Sequence, residues 1–121
     1  MSQRKAWVLL VEDDERLAAT VALAFIEHGC RICGPASTVD EAVRMLEHCD
    51  AAAALIDYRL ADSTSEPLVP LLEERHVPIC VVTGTLRNEL PPSLIRHAVL
   101  TKPFGAHDLI EQVDRLLAIR Q

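Results

Sequence analysis

The sequence has no apolar stretch that approaches the roughly 20 residues needed to span a bilayer, and no signal-peptide cleavage site precedes its first strand-like run. Lysine and arginine number only 12, and they are scattered instead of forming a run that could follow a phosphate backbone. The net charge is −6. These absences predict a cytoplasmic protein whose direct partners include neither membrane nor nucleic acid.

The chain also lacks the dense cysteine framework of a small secreted domain. Its cysteines lie in apolar or strand-like surroundings, at Cys30, Cys33, Cys49 and Cys80. We expect them to be reduced and mostly buried. The Cys30-Arg31-Ile32-Cys33 spacing is that of a redox pair, but such a pair usually opens a helix, and here Gly34-Pro35 follows. A redox or zinc role is therefore not expected.

The length of 121 residues predicts one domain over residues 1–121, in which strands and helices alternate. The predicted strands are 6–11, 30–34, 51–56, 77–82 and 98–101. The main predicted helices are 15–28, 38–48, 67–76 and 106–119. Strands joined by helix-length crossovers are parallel, which predicts a doubly wound α/β sheet with helices on both faces. The expected strand order is 2-1-3-4-5, as in flavodoxin.

The segment between the fourth and fifth strands departs from this regularity. Pro91-Pro92 prevents a helix from running through it and leaves only Ser93 to Arg96 for a turn or two. The sequence therefore predicts that the fourth helix is short or irregular.

Ligands of such sheets bind beyond the carboxyl ends of the strands, and polar residues follow four predicted strands there. They are Glu12 with Asp13, Asp57, Thr83 and Lys102. Carboxylates brought close together repel each other, and a hard cation with oxygen ligands, such as Mg²⁺, removes that repulsion. The cation, the ammonium and the hydroxyl would surround a phosphoryl group on a carboxylate. Asp57 is the natural nucleophile of this set.

Each of these residues also has an ordinary structural interpretation. Glu12, Asp13 and Asp14 would favour the positive end of the first helix, and Asp14 is expected to keep that capping role. Asp57, Thr83 and Lys102 could individually be loop residues. Their joint placement at the strand ends favours the functional interpretation.

Four motifs stand at these strand ends, and they cover the length of the chain: Val11-Glu12-Asp13-Asp14, Leu55-Ile56-Asp57, Val82-Thr83-Gly84 and Thr101-Lys102-Pro103-Phe104. With them the sequence resembles the receiver domains of bacterial two-component response regulators. The resemblance implies a phosphorelay switch that takes a phosphoryl group from a sensor histidine kinase or histidine phosphotransfer protein. Such a switch is not a conventional enzyme, although it catalyses its own phosphorylation and slow dephosphorylation.

The resemblance also implies residue roles. Asp57 would be the phosphoacceptor, Asp13 a direct Mg²⁺ ligand, and Glu12 a ligand through water. The backbone carbonyl of Arg59 would join them. Thr83 would donate its hydroxyl to the phosphoryl group, and Lys102 would pair with Asp57 before transfer and with the phosphoryl group afterwards. The Lys102-Pro103 peptide would be cis.

The sequence differs from most receivers at two places. Val99 stands where an aromatic residue usually reorients on activation, and the fourth helix is reduced. Both features resemble the stand-alone receivers with a Phe-Ala-Thr-Gly signature, although this chain has Val81-Val82-Thr83-Gly84. Because the sequence ends after the last helix, we expect a stand-alone receiver that signals by binding a downstream protein whose identity is unknown.

Two other functions remain open. A pseudo-receiver would bind its partner without phosphorylation, which the missing aromatic permits. A phosphatase of the haloacid-dehalogenase kind uses similar residues, but its nucleophile follows the first strand with a second aspartate two residues on. Arg59 stands in that place here.

Overall fold

The computed structural model describes residues 6–61 and 63–120, so residues 1–5, 62 and 121 of the predicted domain lie outside the described part. The strands are β1 (Trp7–Val11), β2 (Arg31–Ala36), β3 (Ala53–Asp57), β4 (Ile79–Thr83) and β5 (Ala98–Thr101). The α-helices are α1 (Glu15–Glu27), α2 (Val39–Leu46), α3 (Leu68–Glu74), α4 (Pro92–Ile95) and α5 (Ala106–Arg120).

All neighbouring strands of the sheet are parallel, in the order β2-β1-β3-β4-β5. The predicted topology is therefore confirmed. In the middle of the sheet Val11 pairs with Ile56, and Asp57 pairs with Val82 on the other side of β3. The carboxyl ends of the strands consequently meet at one edge of the sheet, where the sequence placed the site.

Alternating side chains of the central strands feed two separate cores, one on each face of the sheet. On one face, Leu9 and Ile56 pack with residues of α2, α3 and α4. On the other, Leu10 and Leu55 pack with residues of α1 and α5. Burial on both faces explains why these strands read as continuous apolar runs.

The first two helices begin and end at local signals. The side chain of Asp14 accepts hydrogen bonds from the amides of Arg16 and Leu17, so its predicted capping role is confirmed. Gly29, which follows α1, has a φ of +99°. The side chain of Thr38 caps α2 by accepting a hydrogen bond from the amide of Glu41, and the carboxylate of Glu41 accepts hydrogen bonds from the amide and hydroxyl of Ser37.

Several predicted boundaries were wrong by a few residues. The helices α2 and α3 end before the predicted His48 and His76, and His76 has a positive φ of 58° that is incompatible with a continuing helix. The strands β3 and β4 begin two residues later and end one residue later than predicted. Asp57 and Thr83 are thus the last residues of their strands, where sheet hydrogen bonds hold their backbones.

The segment between β4 and β5 is irregular, as predicted. It contains one turn of 3₁₀ helix at Arg87–Glu89 and the single helical turn of α4. The carboxylate of Glu73, in α3, receives two hydrogen bonds from the guanidinium of Arg96, at 2.9 and 2.8 Å, and lies 2.7 Å from Nε2 of His97. Side-chain contacts with α3 therefore anchor the carboxyl end of this segment.

The expectation that all the cysteines are reduced was wrong for Cys33 and Cys49, which the structure joins by a disulfide. The sequence did not show this pairing because it depends on how α2 packs against β2. Cys30 and Cys80 are free and buried, as expected. Among the helices of the described residues, none has the length and apolar character required to cross a membrane.

Candidate functional site

Three carboxylates converge at the carboxyl end of the sheet. Glu12 and Asp13 directly follow β1, and Asp57 ends the neighbouring strand β3. Each contributes a carboxylate oxygen to a group in which all of these atoms lie within 4.8 Å of one another. Glu12 is only 6% exposed and Asp57 only 7%. The sequence-predicted acids are therefore brought together, in a place where water screens their charges poorly.

The backbone of β2 helps to position Glu12. The amide of Glu12 donates to the carbonyl of Ala36 at 2.8 Å, beyond an irregularity in the β1–β2 register. That irregularity requires Gly34, with φ +118°, because a Cβ there would lie 2.8 Å from the carbonyl oxygen of Leu10. The peptide Gly34–Pro35 is cis. The sequence did not predict this arrangement.

Lys102 provides the positive charge of the site. Its Nζ donates to Oδ2 of Asp57 at 3.0 Å and to Oε1 of Glu12 at 3.4 Å. Its backbone amide donates to the carbonyl of Thr83 at 2.8 Å, which fixes the lysine beside the end of β4. The Lys102–Pro103 peptide is cis, as the resemblance implied.

The electrostatics of the site reflect burial and mutual charge. Burial is the main cause that raises the pKa of Glu12 to about 7, and the negative charge of Asp57 raises it further against the opposing effects of the Asp14 amide and Lys102. Burial alone would lower the pKa of Lys102, but its hydrogen bond and charge interaction with Asp57, and those with Glu12, together raise it. Burial and the neighbouring charge of Asp57 thus make the ionised form of Glu12 costly in this pocket.

Thr83 is 1% exposed at the end of β4. Its hydroxyl oxygen accepts a hydrogen bond from the amide of Thr85 at 2.8 Å. Accepting this bond does not use the proton of the hydroxyl, which remains the donor that a phosphoryl oxygen would need. The same bond orders the first turn of the segment that leads to α4.

Arg59 lies in the loop after β3, where its backbone pairs with Thr64 and its guanidinium lies over the ring of Tyr58. This local pairing gives the backbone after Asp57 a defined path. Val99, in place of the usual aromatic, is half-buried on β5 and pairs with Val81. A valine has no ring that could reorient between two positions.

The carboxylates of Glu12, Asp13 and Asp57 fit a hard divalent cation. All of the clustered ligand atoms are oxygens, which Mg²⁺ and Ca²⁺ prefer. A cation would also offset the repulsion between Glu12 and Asp57, which adds to the effect of burial in raising the pKa of Glu12. The backbone carbonyl of Arg59 is an additional oxygen in the following loop.

Comparisons with known proteins bear on the fold. Neither a family model nor a curated protein matches the sequence. Among solved structures, a CheY-like receiver domain from Methanospirillum hungatei is similar over 97% of each chain, at a TM-score of 0.85 and 22% identity. SdrG from Sphingomonas melonis is similar over 93% of this chain and 97% of its own, at a TM-score of 0.80 and 24% identity.

The response regulator PhyR from Brucella abortus is similar as well, at a TM-score of 0.80 and 25% identity. The match covers 97% of this chain and 49% of PhyR. In each case nearly the whole of this chain is covered by the match, and the Methanospirillum hungatei structure is a receiver domain. This chain therefore has the fold of the response-regulator receiver domains.

Proposed function

We propose that residues 1–121 act as one receiver domain that accepts a phosphoryl group on Asp57 and passes the signal to a bound protein. One observation carries the proposal. Asp57 ends the central strand β3, Lys102 contacts its carboxylate at 3.0 Å, and two further carboxylates lie within reach of the same cation. A structural loop aspartate does not need such surroundings.

The phosphoryl donor is a phosphohistidine on a sensor histidine kinase or a histidine phosphotransfer protein. A carboxylate oxygen of Asp57 attacks the phosphorus, a P–O bond forms, and the P–N bond to the donor imidazole breaks. Lys102 exchanges its contact with Asp57 for one with the phosphoryl oxygens, and the Thr83 hydroxyl donates to another of them. Both groups stabilise negative charge as it develops.

Glu12, Asp13, Asp57 and the carbonyl of Arg59 would hold Mg²⁺, with Glu12 acting through water. The bound ion supplies positive charge against the phosphoryl oxygens. In the same site, water slowly hydrolyses the acyl phosphate and restores the Asp57 carboxylate. The protein is thus a self-resetting switch and not an enzyme that turns over small phosphate esters.

The output is proposed to run through residues 84–97, which we call the output segment. Thr83 connects it to the phosphorylation site, and the contacts of Glu73 with Arg96 and His97 restrain its other end. Because Val99 replaces the aromatic switch, a shift or ordering of this segment is the available response. Amide exchange in residues 84–97 should change on phosphorylation, and unchanged exchange would refute this route.

Phosphorylation is tested by incubating the protein with radiolabelled acetyl phosphate and Mg²⁺. Wild type should be labelled, Asp57→Asn should not, and Asp40→Asn, at an exposed position in the first turn of α2, should match wild type. Labelling of Asp57→Asn at the wild-type level would refute the assignment. An unlabelled wild type that still binds its downstream protein would instead support the pseudo-receiver.

A further inference from the structure

The paired cysteines lie on the α2 side of the sheet, away from the carboxylate site. Cys33 is in the edge strand β2 and Cys49 is in the loop that leads from α2 to β3. Their Cα atoms are 6.4 Å apart, within the range that a disulfide spans. We propose that Cys33 and Cys49 form a reversible thiol–disulfide pair that exchanges with small disulfides such as oxidised glutathione.

The Cys30-x-x-Cys33 spacing does not supply the pair. Cys30 directly precedes β2 and Cys33 lies within it, and the two belong to the cores on opposite faces of the sheet. Cys80 is also buried among the residues of the core that contains Cys30. The fold therefore selects Cys49 as the partner of Cys33.

Cys33 and Cys49 help to line a shallow surface cavity of about 460 Å³, together with Glu41, Arg44, Met45 and His48. Cys49 is half-buried, whereas Cys33 is only 5% exposed. An external disulfide consequently reaches Cys49 first. Arg44 and His48 are side chains that can pair with the carboxylates of glutathione.

The exchange is a two-step reaction. The Cys49 thiolate attacks one sulfur of oxidised glutathione, which forms a mixed disulfide and releases one glutathione thiolate. The Cys33 thiolate then attacks the Cys49 sulfur and displaces the second glutathione. Two protein thiols are oxidised to one disulfide, one glutathione disulfide is reduced to two thiols, and the released thiolates take up the two protons.

The bond would restrain α2. It joins residues separated by 16 positions, and this interval contains the whole of α2, which is 8 residues long. A helix this short depends on tertiary contacts for its stability. Closing a loop of this size raises the melting temperature by roughly 10 °C in a domain of this length. Oxidation should therefore protect the α2 amides against exchange and raise the melting temperature.

The test compares the same protein after treatment with oxidised glutathione and after treatment with dithiothreitol. The oxidised wild type should be lighter than the reduced protein by the mass of two hydrogens. Alkylation of the oxidised protein after denaturation should modify Cys30 and Cys80 but neither Cys33 nor Cys49. Dithiothreitol under native conditions should return both thiols. The melting temperature should fall on reduction.

Variants distinguish the effect of the disulfide from a general loss of stability, because each variant is compared with itself after oxidation and after reduction. Cys33→Ala should retain glutathione on Cys49 as a mixed disulfide and should show no rise in melting temperature on oxidation. Cys49→Ser should show neither the glutathione adduct nor the rise. Cys80→Ala should keep the rise. Full alkylation of oxidised wild type, a bridge that maps to Cys30, or a bridge that resists dithiothreitol would overturn the proposal.

Discussion

Replacing Lys102 by methionine removes the only cation that contacts the carboxylate pair of Asp57 and Glu12 in the described part of the chain. At the observed separations of 3.0 and 3.4 Å, each charge interaction is about 5 kcal/mol for an effective dielectric constant of roughly 20. The cost of holding the ammonium out of water offsets much of this. Because the lysine side chain is 29% exposed, we expect Lys102→Met to lose only about 2–3 kcal/mol of stability without Mg²⁺.

The loss should depend on pH in a defined direction. Glu12 has a pKa raised to about 7, mainly by burial, so it carries less charge in mild acid and needs Lys102 less. A raised carboxyl pKa means that the folded state binds the proton more tightly than the unfolded state does. Stability therefore falls as the pH rises toward the pKa of Glu12 in the folded protein. The destabilisation by Lys102→Met should therefore be larger at about pH 8 than at about pH 6.

Urea unfolding at both pH values, with and without Mg²⁺, measures these differences. A bound cation takes over the role of counter-ion, so saturating Mg²⁺ should remove most of the deficit of Lys102→Met. Arg115→Met is the matched control, because Arg115 pairs with Glu111 only at 4.0 Å on the surface, and it should cost less than about 1 kcal/mol. Equal stability of the two variants, or a deficit that Mg²⁺ does not reduce, would refute the reasoning.

Three further predictions concern residues outside the site. Ser65→Ala should raise stability by about 1 kcal/mol in urea unfolding, since the Ser65 hydroxyl is buried and has no hydrogen-bond partner among the described residues; a loss would contradict this. Burial raises the pKa of Cys80 to about 12, so iodoacetamide should alkylate it only after unfolding, and rapid native labelling would be inconsistent. The hydrogen bond from His97, with Arg96, lowers the pKa of Glu73, so its stabilisation is present above pH 4.5 and is lost as pH falls through the lowered pKa. Wild type should lose more stability than Glu73→Gln in that acid range, as followed by circular dichroism.

The sheet was predictable because its signals are local. Continuous apolar runs marked the buried strands, and Asp14 marked the start of the first helix in the sequence itself. The positions of Glu12, Asp13, Asp57, Thr83 and Lys102 followed from parallel strands alone, because parallel strands end at a common edge. Their convergence is thus a consequence of topology.

The features that the sequence did not reveal depend on how distant elements pack. The Cys33–Cys49 pair requires the docking of α2, and the contacts of Glu73 with Arg96 and His97 require α3 to lie beside the output segment. The raised pKa of Glu12 is a property of its burial, which no local pattern encodes. The proposed roles of the carboxylate site, Thr83 and Lys102 in phosphoryl transfer remain predictions.

Trapping the acyl phosphate with borohydride tests the central proposal most directly. After treatment with acetyl phosphate and Mg²⁺, reduction converts a phosphorylated aspartate to homoserine, and peptide mass spectrometry identifies its position. The proposal predicts homoserine at residue 57 in wild type and its absence when Mg²⁺ is removed by chelation. Homoserine in place of a different aspartate would contradict the proposal. So would the absence of homoserine under conditions in which the phosphorylated aspartate of a known receiver is reduced to homoserine.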